Sequence, residues 1–305
     1  MRAGLEISDL LVDVAPGTLE RRPVPKSSVM AALSSQGDHR GARLVQQLPV
    51  ADDGSLDPEY VDRLLVSVHC EIQRLSEEFR HGARMARLLA PVVNALRHSG
   101  VPAPYRVVDL GCGTGYVVRW LAANTAWSDV ELIGVDLHEP LVVEARRLAA
   151  LEGLDCSFDL ADAFELGNPA HVLISTGVLH HFRGDDLGKF FASHERVGPN
   201  AFVHIDFQPS FIAPLGSWLF HRTRMRLAIA RFDGVRSAVR AYPLPQIGTA
   251  TATWAPSFST WAYAPTVRWT PLPCVLSPID GARKPIATAV LDELGARGRR
   301  LQPLS

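Results

Sequence analysis

The segment Val107-Val108-Asp109-Leu110-Gly111-Cys112-Gly113-Thr114-Gly115-Tyr116 decides how the chain is read. Val107, Val108 and Leu110 suit a buried strand, the three glycines a tight turn, and Val117, Val118, Trp120 and Leu121 the helix that follows. Glycine there lets the backbone bend sharply and leaves room for a ligand where a Cβ would stand. A glycine pair alone is a weak signal, but three acids stand in register with it. Asp109 lies two residues before the first glycine, Asp136 ends the next apolar run 25 residues after Gly111, and Asp162-Ala163 follows a third.

Outward from this motif, short apolar runs alternate with helical spacing. Arg106–Gly111, Val130–Leu137, Cys156–Phe164, His171–Val178 and Ala201–Phe207 read as strands. Pro140, Leu141, Val142, Ala145 and Leu148 mark one intervening helix, and Leu187, Phe190 and Phe191 another. This βαβα order predicts an α/β fold: a Rossmann-like, mostly parallel, seven-stranded sheet flanked by helices. Such a sheet binds its ligand beyond the carboxyl ends of its strands, where the strand order reverses.

Upstream, residues 1–55 are broken by Pro16, Pro23, Pro25 and Pro49 and read as an N-terminal arm with one short helix. Residues 56–100 form a helical extension, expected to pack on the core. Asp57-Pro58 starts one amphipathic helix, and a second runs from His81-Gly82 to Ser99-Gly100. Glu77-Glu78-Phe79-Arg80-His81 between them reads mainly as a solvated helix end, with a lid over the ligand as the other reading. The rest, 101–305, is one Rossmann-like domain with a cap insert over 208–245. Beyond it, Ser257–Tyr263 and Thr266–Leu276 are expected as a closing hairpin, then a helix holding Ile286, Val290 and Leu294, then a frayed basic tail.

Together, strand-DLGCGTG, strand-VD, strand-ADAF and strand-VLHHF over Arg106 to Phe207 resemble the class I S-adenosylmethionine-dependent methyltransferases. The resemblance implies that the backbone of Gly111, Cys112, Gly113 and Gly115 wraps the methionine and ribose portion of S-adenosyl-L-methionine, with Asp109 directing the amino end. It implies that Asp136, beside Leu137, accepts hydrogen bonds from the ribose hydroxyls, a task suited to a two-oxygen carboxylate. Asp162 and Ala163 then lie along the adenine, and Ser175 on the fourth strand completes the cofactor set. A nicotinamide enzyme would need glycine where Tyr116 stands. An aminopropyl transferase on the same core usually carries a more acidic glycine loop.

His180 and His181 follow the fourth strand and are the candidate catalytic residues. Histidine titrates near neutrality, so either could take a proton from an attacking hydroxyl. They could equally shape the pocket, because an activated methyl donor held in line needs no dedicated base. His204 and Asp206 share one face of the fifth strand without a third ligand nearby, so no metal is expected. The expected activity is methyl transfer to a small molecule, most simply at oxygen. The alternatives are a protein or RNA acceptor, or a non-catalytic partner protein that binds the cofactor.

Charge narrows the partners. The chain has 305 residues, with 31 basic against 32 acidic side chains, and near-neutrality argues against holding nucleic acid by counterion release. Lys26, Lys189 and Lys284 are the only lysines, which leaves 28 arginines. Six of them, Arg222, Arg224, Arg226, Arg231, Arg236 and Arg240, fall in Leu219–Arg240 against Asp233 alone, a net +5. That insert reads as a cap recognising an anionic substrate, as a surface for a membrane or partner, or as a solvated helix face. Without a signal-peptide pattern, a stable membrane span or paired CxxC cysteines, the expectation is a cytoplasmic protein.

Overall fold

The computed structural model describes residues 4–210, 213–263 and 276–305. They form two compact units, Met1–Leu75 with Pro209–Ala241, and Ser76–Gln208 with Tyr242–Ser305.

The first unit is mainly helical. Two helices, Lys26–Ser35 and His39–Gln46, stand where the proline-broken sequence suggests one. Asp38 caps the second through the Gly41 N–H at 3.1 Å. They are followed by Pro58–Glu78 and, after the chain returns, by Ala213–Arg224 and Ala228–Arg240. The arginine-rich stretch divides in two here. Arg240 is buried and pairs with Glu6 at 3.0 Å and Asp9 at 2.8 Å, and Arg236 pairs with Asp38 and lies over the Phe232 ring. Arg231 donates to the Met225 carbonyl at 2.6 Å, whereas Arg222, Arg224 and Arg226 are exposed. Half of the positive charge is therefore structural. Asp233 accepts from the Ile7 and Ser8 N–H groups, and burial with Glu6 nearby pushes its carboxyl up to about 7.

The second unit carries the sheet. Its strands are β1 (Tyr105–Leu110), β2 (Val130–Asp136), β3 (Ser157–Leu160), β4 (Val172–Thr176), β5 (Ala201–Phe207), β6 (Phe258–Tyr263), β7 (Leu276–Arg283) and β8 (Leu301–Pro303). Their spatial order is β8-β6-β7-β5-β4-β1-β2-β3, with β1 to β5 mutually parallel and β6, β7 and β8 joined antiparallel. The α/β class and the mostly parallel Rossmann-like sheet are as expected, but there are eight strands rather than seven. The expected frayed tail supplies the extra one: Leu301–Pro303 pairs with Trp261–Tyr263 and covers an edge that β6 would otherwise expose. Most of the expected second hairpin strand lies outside the described residues, and the strand observed begins at Leu276.

Alternation along the strands divides the core between two faces. Tyr105, Val107, Val172, Ile174, Val203 and Ile205 pack with helices His81–His98, Tyr116–Asn124, Glu139–Glu152 and Lys284–Leu294. Val108, Leu110, Leu173 and Phe202 face helices Asp186–Val197 and Leu244–Trp254. Helix His81–His98 is tied at its far end, where Arg97 grips Asp129 through two hydrogen bonds just before β2. The strand order reverses between β1 and β4, which places the expected crevice beyond Leu110 and Thr176.

Candidate functional site

The turn after β1 folds as its glycines require. Gly111, Gly113 and Gly115 all take positive φ, and Gly115 at +75° starts helix Tyr116–Asn124. A Cβ on Gly115 would stand 2.3 Å from the Phe158 ring of β3. Close packing, as well as conformation, therefore excludes a side chain there. Cys112 serves through its backbone, its N–H donating to Val135 at 3.0 Å and its carbonyl accepting from Gly115 at 2.9 Å. Burial, with Asp136 and Asp109 nearby, holds its thiol well above the usual range, so it stays neutral.

Asp136 clasps this turn from the end of β2. Its Oδ2 accepts from the Gly113 N–H at 2.8 Å and its Oδ1 from the His138 N–H at 3.0 Å. Asp109 projects from the adjacent strand and is 3% exposed. Among the described residues, its Oδ1 has no hydrogen-bond partner. Burial and then repulsion from Asp136 push its carboxyl up to about 8. A cationic group arriving there would relieve both penalties.

Asp109, Gly111, Cys112, Gly113, Gly115 and Asp136 are thus assembled along two neighbouring strands, with Leu137 next in the chain. Asp162 and Ala163 follow β3, where Asp162 Oδ1 accepts from the Phe164 N–H at 2.8 Å and fixes that loop. Ser175 is placed differently. Asp109 is in register with Ile174, so Ser175 points to the opposite sheet face. There it enters a buried chain: Ser175 Oγ to His204 Nδ1 at 2.8 Å, His204 Nε2 to His194 Nε2 at 2.9 Å, and His194 Nδ1 to the Phe190 carbonyl at 2.8 Å. The carbonyl can only accept, so His194 donates from Nδ1, His204 donates from Nε2, and the Ser175 hydroxyl donates to His204. Burial holds His194 down to about 4 and His204 well below its usual range. Both rings remain neutral in a structural network.

His180 and His181 sit in a short 3-10 turn, Leu179–His181, with ring centres 4.3 Å apart. His180 is buried, with Nδ1 2.8 Å from Asp206 Oδ1 and its N–H 3.2 Å from Oδ2; His181 is half-buried. Burial alone would raise the Asp206 carboxyl, but electrostatic attraction to His180, the hydrogen bond between them and the Phe207 N–H hold it below the usual carboxylate range. Asp206 therefore stays ionised and fixes the imidazole beside it.

Two further groups were not singled out as ligands in the sequence. Thr176 ends β4 with a buried hydroxyl that has no hydrogen-bond partner among the described residues, and His81 is 4% exposed rather than solvated. The glycine after His81 is the one local sign of it. Gly82 lies so close to Trp120 that a Cβ would be 2.3 Å from the indole, and the helix start is thereby drawn into the core.

Residues 107–199 match the family described as methyltransferase domain. A trans-aconitate 2-methyltransferase of Pseudomonas paraeruginosa is 38% identical over 93 residues, 30% of this chain and 31% of that protein. A cyclopropane-fatty-acyl-phospholipid synthase of Escherichia coli is 30% identical over 93 residues, 30% of this chain and 22% of that protein. The chain thus spans about a third or less of the length of these relatives. A plantazolicin methyltransferase, solved with S-adenosylhomocysteine and a desmethyl substrate analogue, superposes with TM-score 0.51 at 12% identity, over 75% of this chain and 92% of that one. That likeness concerns the fold. The match over residues 107–199 thus falls on the glycine turn clasped by Asp136 and on the buried Asp109, and this segment of the second unit matches a methyltransferase domain.

Proposed function

We propose that the chain transfers the methyl group of S-adenosylmethionine to a small-molecule acceptor, most simply at oxygen. The observation that carries this reading is the pair of acids at the glycine turn: Asp136, already ordering the loop, and Asp109, buried with an oxygen that has no partner among the described residues. The residues fit the cofactor. The Asp136 carboxylate stands at the strand end as an acceptor suited to ribose hydroxyls, and Asp109 offers a compensating anion to the ammonium of the amino-acid end. When bound, the cofactor supplies a methyl group already activated on a sulfonium.

The remaining work falls to His180, His181 and Asp206. With hydrogen on His180 Nδ1, directed at Asp206 Oδ1, the Nε2 lone pair is of the kind that can accept the proton an acceptor hydroxyl loses as it attacks. His181, alongside and half-buried, shares that assignment. Alignment of the acceptor oxygen in line at about 3 Å supplies most of the remaining rate. The names of the Pseudomonas relatives, with trans-aconitate as acceptor, favour a small anionic acceptor here as well.

Incubation with methyl-labelled S-adenosylmethionine and pools of small carboxylic acids and phenols tests the reading. Label should move to a small molecule; label on protein or RNA, or none moved, speaks against it. Asp206→Asn is expected to lower kcat by about tenfold or more while leaving S-adenosylhomocysteine affinity unchanged. An unchanged kcat would remove proton transfer from the His180–Asp206 pair.

A further inference from the structure

Three buried polar atoms of the second unit have no partner among the described residues and share one edge of the sheet: Asp109 Oδ1, Thr176 Oγ1 and His81 Nε2. Thr176 lies two residues beyond Ile174, the register partner of Asp109, so both side chains point to the face covered by helix His81–His98. That helix runs antiparallel to the strands. Its last turn is held at the start of β2 by the Arg97–Asp129 pair, and 18 residues at 1.5 Å each carry it about 27 Å back, to the carboxyl edge. His81 opens the helix at that edge, where the axial dipole favours an anion. A carboxyl, a hydroxyl and an imidazole are therefore brought to one side of the β1/β4 crevice with hydrogen-bonding capacity unspent. A zwitterionic amino-acid end has complementary groups.

We infer that His81 Nε2 and Thr176 Oγ1 together hold the carboxylate of the amino-acid end of S-adenosylmethionine, while Asp109 faces its ammonium group. The inference rests on the proposed cofactor and adds two residues to its recognition. His81 Nδ1 lies 3.2 Å from Ser76 Oγ, and when that hydroxyl donates to Nδ1 the ring hydrogen stands on Nε2, directed at the carboxylate. Burial holds the imidazole down to about 3, with Arg84 of the same helix lowering it further and Asp206 of β5 opposing. The ring therefore acts as a neutral donor through the physiological range, and Arg84 adds positive potential on the same side.

Calorimetric titration with S-adenosylhomocysteine and with 5′-methylthioadenosine, which lacks the amino-acid portion, tests this. Wild-type protein should prefer S-adenosylhomocysteine. His81→Phe should weaken it about tenfold and the isosteric Thr176→Val about fivefold, both leaving 5′-methylthioadenosine within about twofold. His81→Gln, whose amide can replace the Nε2 donor, should recover most of the loss. Equal loss of both ligands, or no loss of either in Thr176→Val, overturns the inference. Thr176→Val also decides the matter should His81→Phe lower the melting temperature. A wild-type protein that binds the two ligands equally contradicts this inference alone, whereas one that binds neither contradicts the cofactor assignment beneath it.

Discussion

Asp136→Ala is expected to weaken S-adenosylhomocysteine binding by roughly 30- to 150-fold, about 2–3 kcal/mol. The carboxylate would make charge-assisted bonds to two ribose hydroxyls, each of the stronger class. It also orders the protein side of the site, since Gly113 and His138 donate their N–H groups to its two oxygens. Removing it loses the ligand contacts and frees the turn that should be preorganised to receive them. Asp136→Asn separates these roles: the amide oxygen can still accept from Gly113, so the turn survives and the loss should be closer to tenfold. Both numbers come from calorimetric titration of folded protein. An Asp136→Ala protein that binds like wild type would show that the ribose lies elsewhere.

Gly115→Ala is expected to destabilise the second unit by about 2–5 kcal/mol, through two separable costs. A left-handed conformation at φ +75° costs a side chain about 1–2 kcal/mol. Forcing a methyl group against Phe158, where the ideal Cβ would be 2.3 Å from the ring, costs about 1–3 kcal/mol more. Adding Phe158→Leu opens space without changing φ, so the double variant should regain part of the loss. Thermal unfolding measures both. A Gly115→Ala protein that melts like wild type would contradict the tight turn from which the site is built.

What could be read in advance followed the physics of each segment. β1 to β5 carry short apolar runs whose burial is local and periodic, and the Asp109-to-Gly115 turn needs conformations that only glycine supplies cheaply, so both were visible as patterns. β8 was not, because Leu301-Gln302-Pro303 has little strand character of its own and is extended only by pairing with β6. The residues at Leu276–Arg283 include Pro278 and Gly281, which argue locally against a strand; the pairing with β5 and β6 overrides them. In the arginine-rich stretch, composition shows the charge but not its counter-ions. Glu6, Asp9 and Asp38 lie about 200 residues away in the chain and neutralise Arg240 and Arg236 through tertiary contacts.

The site divides along the same line. Asp109 and Asp136 stand at strand ends fixed by the motif, whereas Ser175 takes its surroundings from partners that only the fold supplies. The side of the sheet it faces, and the hydrogen bond to His204 that ties up its hydroxyl proton, follow from register. His81 resembles a solvated helix end because Gly82 is the one local sign of its burial, and the packing on Trp120 that this glycine permits is a tertiary contact. Asp206 was visible as the second residue of a His-x-Asp pair, but its partner is His180 of the preceding loop rather than His204. Alternation along a strand puts two side chains on one face without joining them.

Calorimetric titration of the 305-residue chain with S-adenosylhomocysteine decides whether the glycine turn and its two acids bind this cofactor. Saturable binding with one ligand per chain is expected, abolished or strongly weakened by Asp136→Ala. Folded protein with a sharp thermal transition that gives no binding heat and no shift in melting temperature at saturating ligand would contradict it.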